Sequence, residues 1–179
     1  MLALNLEIED FFFRDIKKDE LNKVLELYND VDESIFATGI DRQLSIEEMG
    51  EKYLEVLINS YEFFIGIFSK GNEELIGVIK GHIDYDNSEE AWISSFLIKK
   101  DFRNTGIGNK SINAFISFMN KTYDVKKVLA GVISKNKRGM EFWINAGFQH
   151  IRVIKEYISL NNGYEDFIIL KKDIKTFNK

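Results

Sequence analysis

Neither cysteine nor proline occurs anywhere in the 179 residues of this chain. The first absence excludes disulfides, thiol catalysis and cysteine-ligated metals, and it fits a reducing compartment. No metal site is expected. Apolar runs are short, and none approaches the ~20 residues needed to span a membrane. The opening stretch, MLALNLEIED, has no basic segment and soon turns acidic, so it does not read as a signal peptide. A cytoplasmic chain with no membrane partner is the expectation. A basic excess is also lacking: 24 Lys and Arg stand against 29 Asp and Glu, a formal net charge of −5, which argues against a nucleic-acid partner. Repeats, low-complexity tracts and linkers are missing too.

What is present is ordinary for a globular protein, with 45% apolar, 30% charged and 13% aromatic residues. The length fits one domain, residues 1–179. A domain of this size buries roughly 70% of its unfolded surface and holds a core without staples. The fifteen phenylalanines read as core material.

The stretch Glu7 to Lys18, with three consecutive Phe, centres a first strand. Asp19-Glu20 opens a first helix carrying Leu21, Val24, Leu25 and Tyr28 at helical spacing. Residues 29–43 read as a polar connection containing Gly39. Ser45 and Glu48 form a capping box for a second helix with Met49, Tyr53, Val56 and Leu57 on one face. Strands two, three and four follow at Tyr61–Ser69, Glu74–Tyr85 and Ala91–Lys99, with a turn signal at Lys70-Gly71-Asn72. A third helix carries Ile112, Phe115, Ile116 and Met119. It supplies the crossover that lets strand five, Lys126–Ile133, pair in parallel with strand four. The fourth helix, within Asn136–Phe148, has an N-cap in Asn136 and a C′ residue in Gly147. A closing hairpin, Phe148–Leu160 with Tyr164–Lys172, turns at Asn161-Asn162-Gly163. Thr176 to Lys179 read as a loose tail. The order β-α-α-β-β-β-α-β-α-β-β predicts an α/β (α+β) fold on a mixed sheet.

The most informative stretch is the loop after strand four. Two glycines, Gly106 and Gly108, open an amphipathic helix directly after a strand. The first N–H groups of a helix have no intrahelical partner and carry about +0.5 charge, and glycines let an anion approach the backbone. A Walker A loop needs Gly directly followed by Lys and another Gly five residues earlier; Asn109 and Arg103 occupy those positions. A dinucleotide fingerprint needs a third glycine where Ser111 stands.

What remains, Arg103-Asn104-Thr105-Gly106-Ile107-Gly108, matches the R/Q-x-x-G-x-G/A pyrophosphate loop of the GCN5-related N-acetyltransferases. One helix and one strand later the chain has Asn136, Gly139, Phe142, Trp143, Gly147 and Phe148. These stand in the register of that family's N-x-x-A-x-x-F-Y-x-x-x-G-F stretch. On these two motifs the chain resembles the GNAT family.

The resemblance implies acetyl-CoA as co-substrate and an N-acetyltransferase acting on a primary amine of a small molecule or peptide. It places the pyrophosphate on the backbone of Asn104, Thr105, Gly106, Ile107 and Gly108, with Arg103 beside the phosphates. The family splays strands four and five apart, so the pantetheine arm would meet the backbone of Phe96, Leu97 and Ile98. The Ile98 N–H would stabilise the developing oxyanion. Asn136 would contact the arm, and Trp143 would pack at the cofactor edge.

Trp143 also stands where the family carries its usual acid, a Tyr, and an indole N–H is far too weak for that task. Three accounts stay open. The thiolate leaves unprotonated, its thiol pKa being about 8.5; Tyr157 or Tyr164 supplies the proton; or the protein binds coenzyme A without catalysis. Glu90, Asp84 and His82 are the candidates for the base, with Glu90 set just before strand four. The alternatives are a non-catalytic CoA-binding or interaction module of the same fold, and an acyltransferase using a longer acyl-CoA. A homodimer, common in the family through the last strands, is a further possibility.

Overall fold

The computed structural model describes residues 1–84, 86–160 and 163–174, with the backbone alone for residues 31–34. Among these residues eight strands form one sheet: β1 (Asn5–Glu7), β2 (Phe11–Asp15), β3 (Glu62–Ser69), β4 (Leu75–Ile83), β5 (Glu90–Ile98), β6 (Lys127–Ile133), β7 (Gln149–Leu160) and β8 (Gly163–Asp173). Their spatial order is β1-β2-β3-β4-β5-β6-β8-β7. Every neighbouring pair is antiparallel except β5 and β6. Five α-helices complete the described fold: α1 (Leu21–Tyr28), α2 (Val31–Thr38), α3 (Ile46–Ile58), α4 (Ile107–Tyr123) and α5 (Lys137–Asn145).

The Phe11-Phe12-Phe13 run shows how the sequence builds two cores. Strand side chains alternate between faces. Phe11 and Phe13 are buried beneath the α4 stripe of Ile112, Phe115, Ile116 and Met119. Phe12 points the other way and stacks on Phe68 with ring centroids 5.4 Å apart. That second face is covered by Leu21, Val24 and Tyr28 of α1 and by Met49, Tyr53 and Val56 of α3. Each large apolar side chain taken fully out of water contributes about 1.5–3 kcal/mol. The sheet is therefore anchored from both sides along β2 to β5.

The capping box forms as read. The Ser45 hydroxyl accepts the Glu48 N–H at 3.3 Å, and Glu48 accepts the Ser45 N–H at 2.8 Å. Gly147 follows α5 at φ +90°.

Two described elements are not among those the sequence signals. β1 is three residues long and pairs only with β2. α2 lies inside the stretch read as a polar connection. Its apolar residues are Val31 and the consecutive Ile35, Phe36 and Ala37, and Val31 with Ile35 is too short a pair to read as a helical stripe. Ile35 packs in a small cluster with Ile133 and Leu160, and Gly39 ends the helix at φ +70°. Residues 161, 162 and 176–179 lie outside the described residues, and with them the expected Asn161-Asn162 turn and the tail. No helix among the described residues is long and apolar enough to cross a membrane.

Candidate active site

The site begins where two strands part. β5 pairs with β6 from Glu90↔Lys127 to Ile93↔Ala130 and no further. On its other edge β5 stays in register with β4 up to Gly77↔Ile98, while β6 continues along β8 to Ile133↔Phe167. Beyond Ile93 a gap opens. Lys99 donates its N–H to the Ile76 carbonyl at 2.8 Å. Peptide groups alternate in direction along an antiparallel strand, so those of Phe96 and Ile98 face the gap.

A β-bulge sets which side chains point where. Lys80 pairs with Ser95 and Gly81 with Ile93, leaving Ser94 as the extra residue. Before the bulge, Ala91 and Ile93 face α4. After it, Leu97 joins the α1–α3 core and Ser95 meets the Tyr28 hydroxyl at 2.8 Å. Burial pushes the Tyr28 phenol up to about 12, against the opposing hydrogen bond from Ser95. Phe96 turns the opposite way, into a ring cluster with Phe142 and Trp143 at 5.4 and 6.0 Å. Those rings floor a cleft of about 350 Å³.

The glycine loop closes one end of the cleft. Asn104 and Gly106 both have positive φ, 63° and 87°, so the chain turns sharply into α4. Glycine suits position 106 for that conformation alone, because a Cβ there would meet nothing within 4 Å. Gly108 serves close packing: its Cβ would come 3.2 Å from the Phe142 ring. In the first turn of α4 the Gly108 and Asn109 N–H groups have no intrahelical acceptor. Both residues line the cleft.

Arg103 does more than supply backbone. Its Nε donates to the Ile98 carbonyl at 2.6 Å, and its guanidinium lies 3.9 Å from Asp30. It holds the open end of β5 to the loop after α1.

Helix α5 forms the opposite wall. The Asn136 Oδ1 accepts the Gly139 N–H at 2.7 Å, and its Nδ2 donates to the Phe36 carbonyl of α2 at 3.4 Å. The N-cap therefore also ties α5 to α2. Arg138 reaches across the mouth to Asn104 Oδ1 at 3.4 Å. Trp143 is buried at 7% exposure, edge-on to Phe148 at 4.7 Å.

Of the residues singled out from sequence, Phe96, Leu97, Ile98, Arg103, Asn104, Gly106, Gly108, Asn136 and Trp143 all line this cleft. Thr105 and Ile107 belong to the same loop without lining it; the Thr105 hydroxyl donates to the Phe102 carbonyl at 2.7 Å and so braces the turn. Glu90 and Tyr157 are not brought there. Glu90 lies at the paired end of β5, held by Lys127 at 2.8 Å. Tyr157 sits on edge strand β7, 61% exposed, against Phe167. Sequence reasoning missed Phe36, Ser95, Asn109 and Arg138. The Ser94-Ser95 pair inside an otherwise apolar strand was the available signal for the bulge. Among the described residues, no group of three or more His, Cys, Asp or Glu is placed to hold a metal ion.

A family model for the acetyltransferase (GNAT) domain matches residues 13–169. The [ribosomal protein uS5]-alanine N-acetyltransferase of Escherichia coli (strain K12) is 22% identical over 107 residues, 60% of this chain and 55% of that protein. The chain thus matches about half the length of that relative. Among solved structures, RimL, a ribosomal L7/L12 alpha-N-protein acetyltransferase in complex with coenzyme A, superposes with a TM-score of 0.83 at 16% identity, covering 96% of this chain and 98% of that one. The spermidine N-acetyltransferase of Vibrio cholerae, in complex with CoA and spermine, gives 0.81 at 17% identity over 92% and 95%. At these identities the structures establish a shared fold.

Proposed function

The chain belongs to the GNAT acetyltransferase family, and from that premise we propose that it transfers the acetyl group of acetyl-CoA to a primary amine. The observation that carries this reading is the gap between β5 and β6 with the glycine loop and the α4 N-terminus at its open end. An elongated thioester with a pyrophosphate at its far end fits such a shape. The acceptors named for the two solved relatives, a ribosomal protein α-amine and a polyamine, are both amines.

The Gly108 and Asn109 amides would hold the pyrophosphate, aided by the helix dipole. The Asn104–Ile107 backbone shapes that cradle, and Asn136 and Trp143 wall the pantetheine arm. Two peptide groups reach the arm from β5. Ile98 is beside the cradle, its carbonyl already held by Arg103. Phe96 lies about 7 Å nearer the closed end of the gap, where the thioester arrives. The Phe96 N–H is therefore the better oxyanion donor, and Ile98 binds the arm. This moves the donor two residues from where the family resemblance put it.

Trp143 favours a second reading, a protein that binds coenzyme A without turnover. Its indole stands in the ring cluster, where it packs and gives no proton. Thiol release with any amine removes that reading. The first reading is tested by melting the protein with about 1 mM acetyl-CoA, desulfo-coenzyme A or ATP. A ligand at 100 times its Kd stabilises by about 2.7 kcal/mol. Stabilisation by acetyl-CoA and not by ATP is expected; equal shifts, or none, refute the reading.

A further inference from the structure

In the function proposed above the cleft holds a thioester, and the amine is left without a seat. Three residues across the ladder supply one. Glu62 of β3 is in register with His82 of β4, and His82 with Trp92 of β5. The row continues through Leu129 of β6 to Lys171 of β8. Residues in direct register share a face. Ala91 and Ile93, on either side of Trp92, are buried toward α4, so the row points to the opposite face. There α1 and α3 cover Phe64, Val78 and Leu97, while His82 and Trp92 stay half-exposed. Two residues beyond Trp92, Ser94 is exposed and lines the cleft. The row therefore flanks the closed end of the gap, from the face that α4 and α5 do not occupy.

We infer that this row is the acceptor site, in which the substrate ammonium lies against the Trp92 indole and His82 takes its proton. The inference rests on the function proposed above. An indole face attracts a cation, and imidazole exchanges protons between about pH 5 and pH 8. The charged groups around His82 suit a cation. Glu62 faces it from β3, and Lys80, two residues back on β4, has its Nζ 3.9 Å from Glu62. Asp84 follows on β4, and Glu90, bound to Lys127, precedes Trp92 on β5. Lys171 is paired with Asp173 at 3.1 Å.

His82 removes one proton from the ammonium, leaving a neutral amine. The amine nitrogen forms a C–N bond to the acyl carbon, whose oxygen is held by the Phe96 N–H. The C–S bond breaks with its electron pair on sulfur. The second N–H proton passes to that sulfur, and His82 returns its proton to solvent. No acid is then needed at Trp143.

The test is steady-state thiol release with a panel of alkyl amines and peptides with free N-termini, from about pH 6 to about pH 9, for wild type, His82→Gln and Trp92→Leu. Each variant is also melted with and without acetyl-CoA. His82→Gln should lower kcat by at least about 100-fold, with an acetyl-CoA shift equal to wild type. It should also lose the acid limb of the pH profile. Trp92→Leu should raise the amine KM about tenfold and leave kcat within a few-fold. His82→Gln at wild-type rate with an unchanged acid limb overturns the inference, while wild-type turnover and the acetyl-CoA shift leave the acetyltransferase reading standing. A loss of activity matched by loss of the acetyl-CoA shift marks a structural role and also overturns it. No acetyl-CoA shift and no turnover in wild type would defeat both readings.

Discussion

Strand β5 has two edges, and the chain treats them differently. Toward β4 the ladder runs from Ala91 to Ile98 with a single bulge. Toward β6 it stops at Ile93. On the closed edge backbone groups are satisfied by neighbours, and the faces beside it are packed with Phe63, Phe64 and Phe68, each at most 1% exposed. On the open edge the peptide groups of Phe96 and Ile98 face a cleft. The difference teaches that one edge of the strand is packed for stability while the other leaves peptide groups open to the cleft. The closed side holds the strand rigid so that the open side can present an unpaired row of donors.

The comparison predicts effects of different kinds on the two sides. The largest is expected on the closed side. Phe64→Ala removes a buried ring that meets Tyr28 edge-on at 6.4 Å, and should cost about 3–5 kcal/mol of stability. The folded fraction should still be shifted upward by acetyl-CoA. A full loss of that shift, with the protein still folded, would break the division. Asn109→Glu is the converse. It places a carboxylate in the first turn of α4, where the helix dipole favours it, so unliganded stability should move by no more than about 0.5 kcal/mol. The acetyl-CoA stabilisation, about 2.7 kcal/mol at 100 times its Kd, should vanish, because the charge meets the pyrophosphate. Gly106→Glu is a poorer probe of the same point, since φ of +87° strains any side chain there.

Much of this division was legible in the sequence, for identifiable reasons. The glycine loop carries its meaning locally: positive φ at Gly106 and the start of α4 at Ile107 are written in neighbouring residues. Asn136 likewise signals its cap by type and position. The helix stripes gave α1, α3 and α4 because burial is periodic there. α2 escaped because its one buried residue among those described, Ile35, contacts residues nearly a hundred or more positions away. The misplacement of Glu90 and Tyr157 has the same origin. Nearness in sequence to a strand start or to a tyrosine-bearing hairpin points to each of them, and the ladder places both outside the cleft. The His82–Trp92 juxtaposition depends on the β4–β5 register, and no local pattern encodes that.

The smallest expected effect concerns acid, and it sharpens the comparison by asking where the pH sensitivity of the fold resides. On the closed side Arg14 of β2 donates two hydrogen bonds to Glu20, at 2.7 and 2.6 Å, and lies 3.8 Å from the Phe68 ring centre. Burial pushes the Glu20 carboxyl up, but the Arg14 hydrogen bonds and the Lys17 N–H outweigh it and hold the group below the usual carboxylate value. A carboxylate whose folded pKa is depressed adds stability above its unfolded pKa, and that contribution fades as pH falls through the folded pKa. Nearby Asp15 is shifted the other way, raised by burial, so acid relieves it. Measuring wild type against Glu20→Gln cancels the Asp15 contribution. The difference in stability should be about 1 kcal/mol near pH 7 and should close below about pH 4. The same melts with acetyl-CoA present should show an unchanged difference, because Glu20 and the cleft lie on opposite sides of β5. A difference that grows with cofactor would mean that the two edges communicate and that the closed side is more than a support.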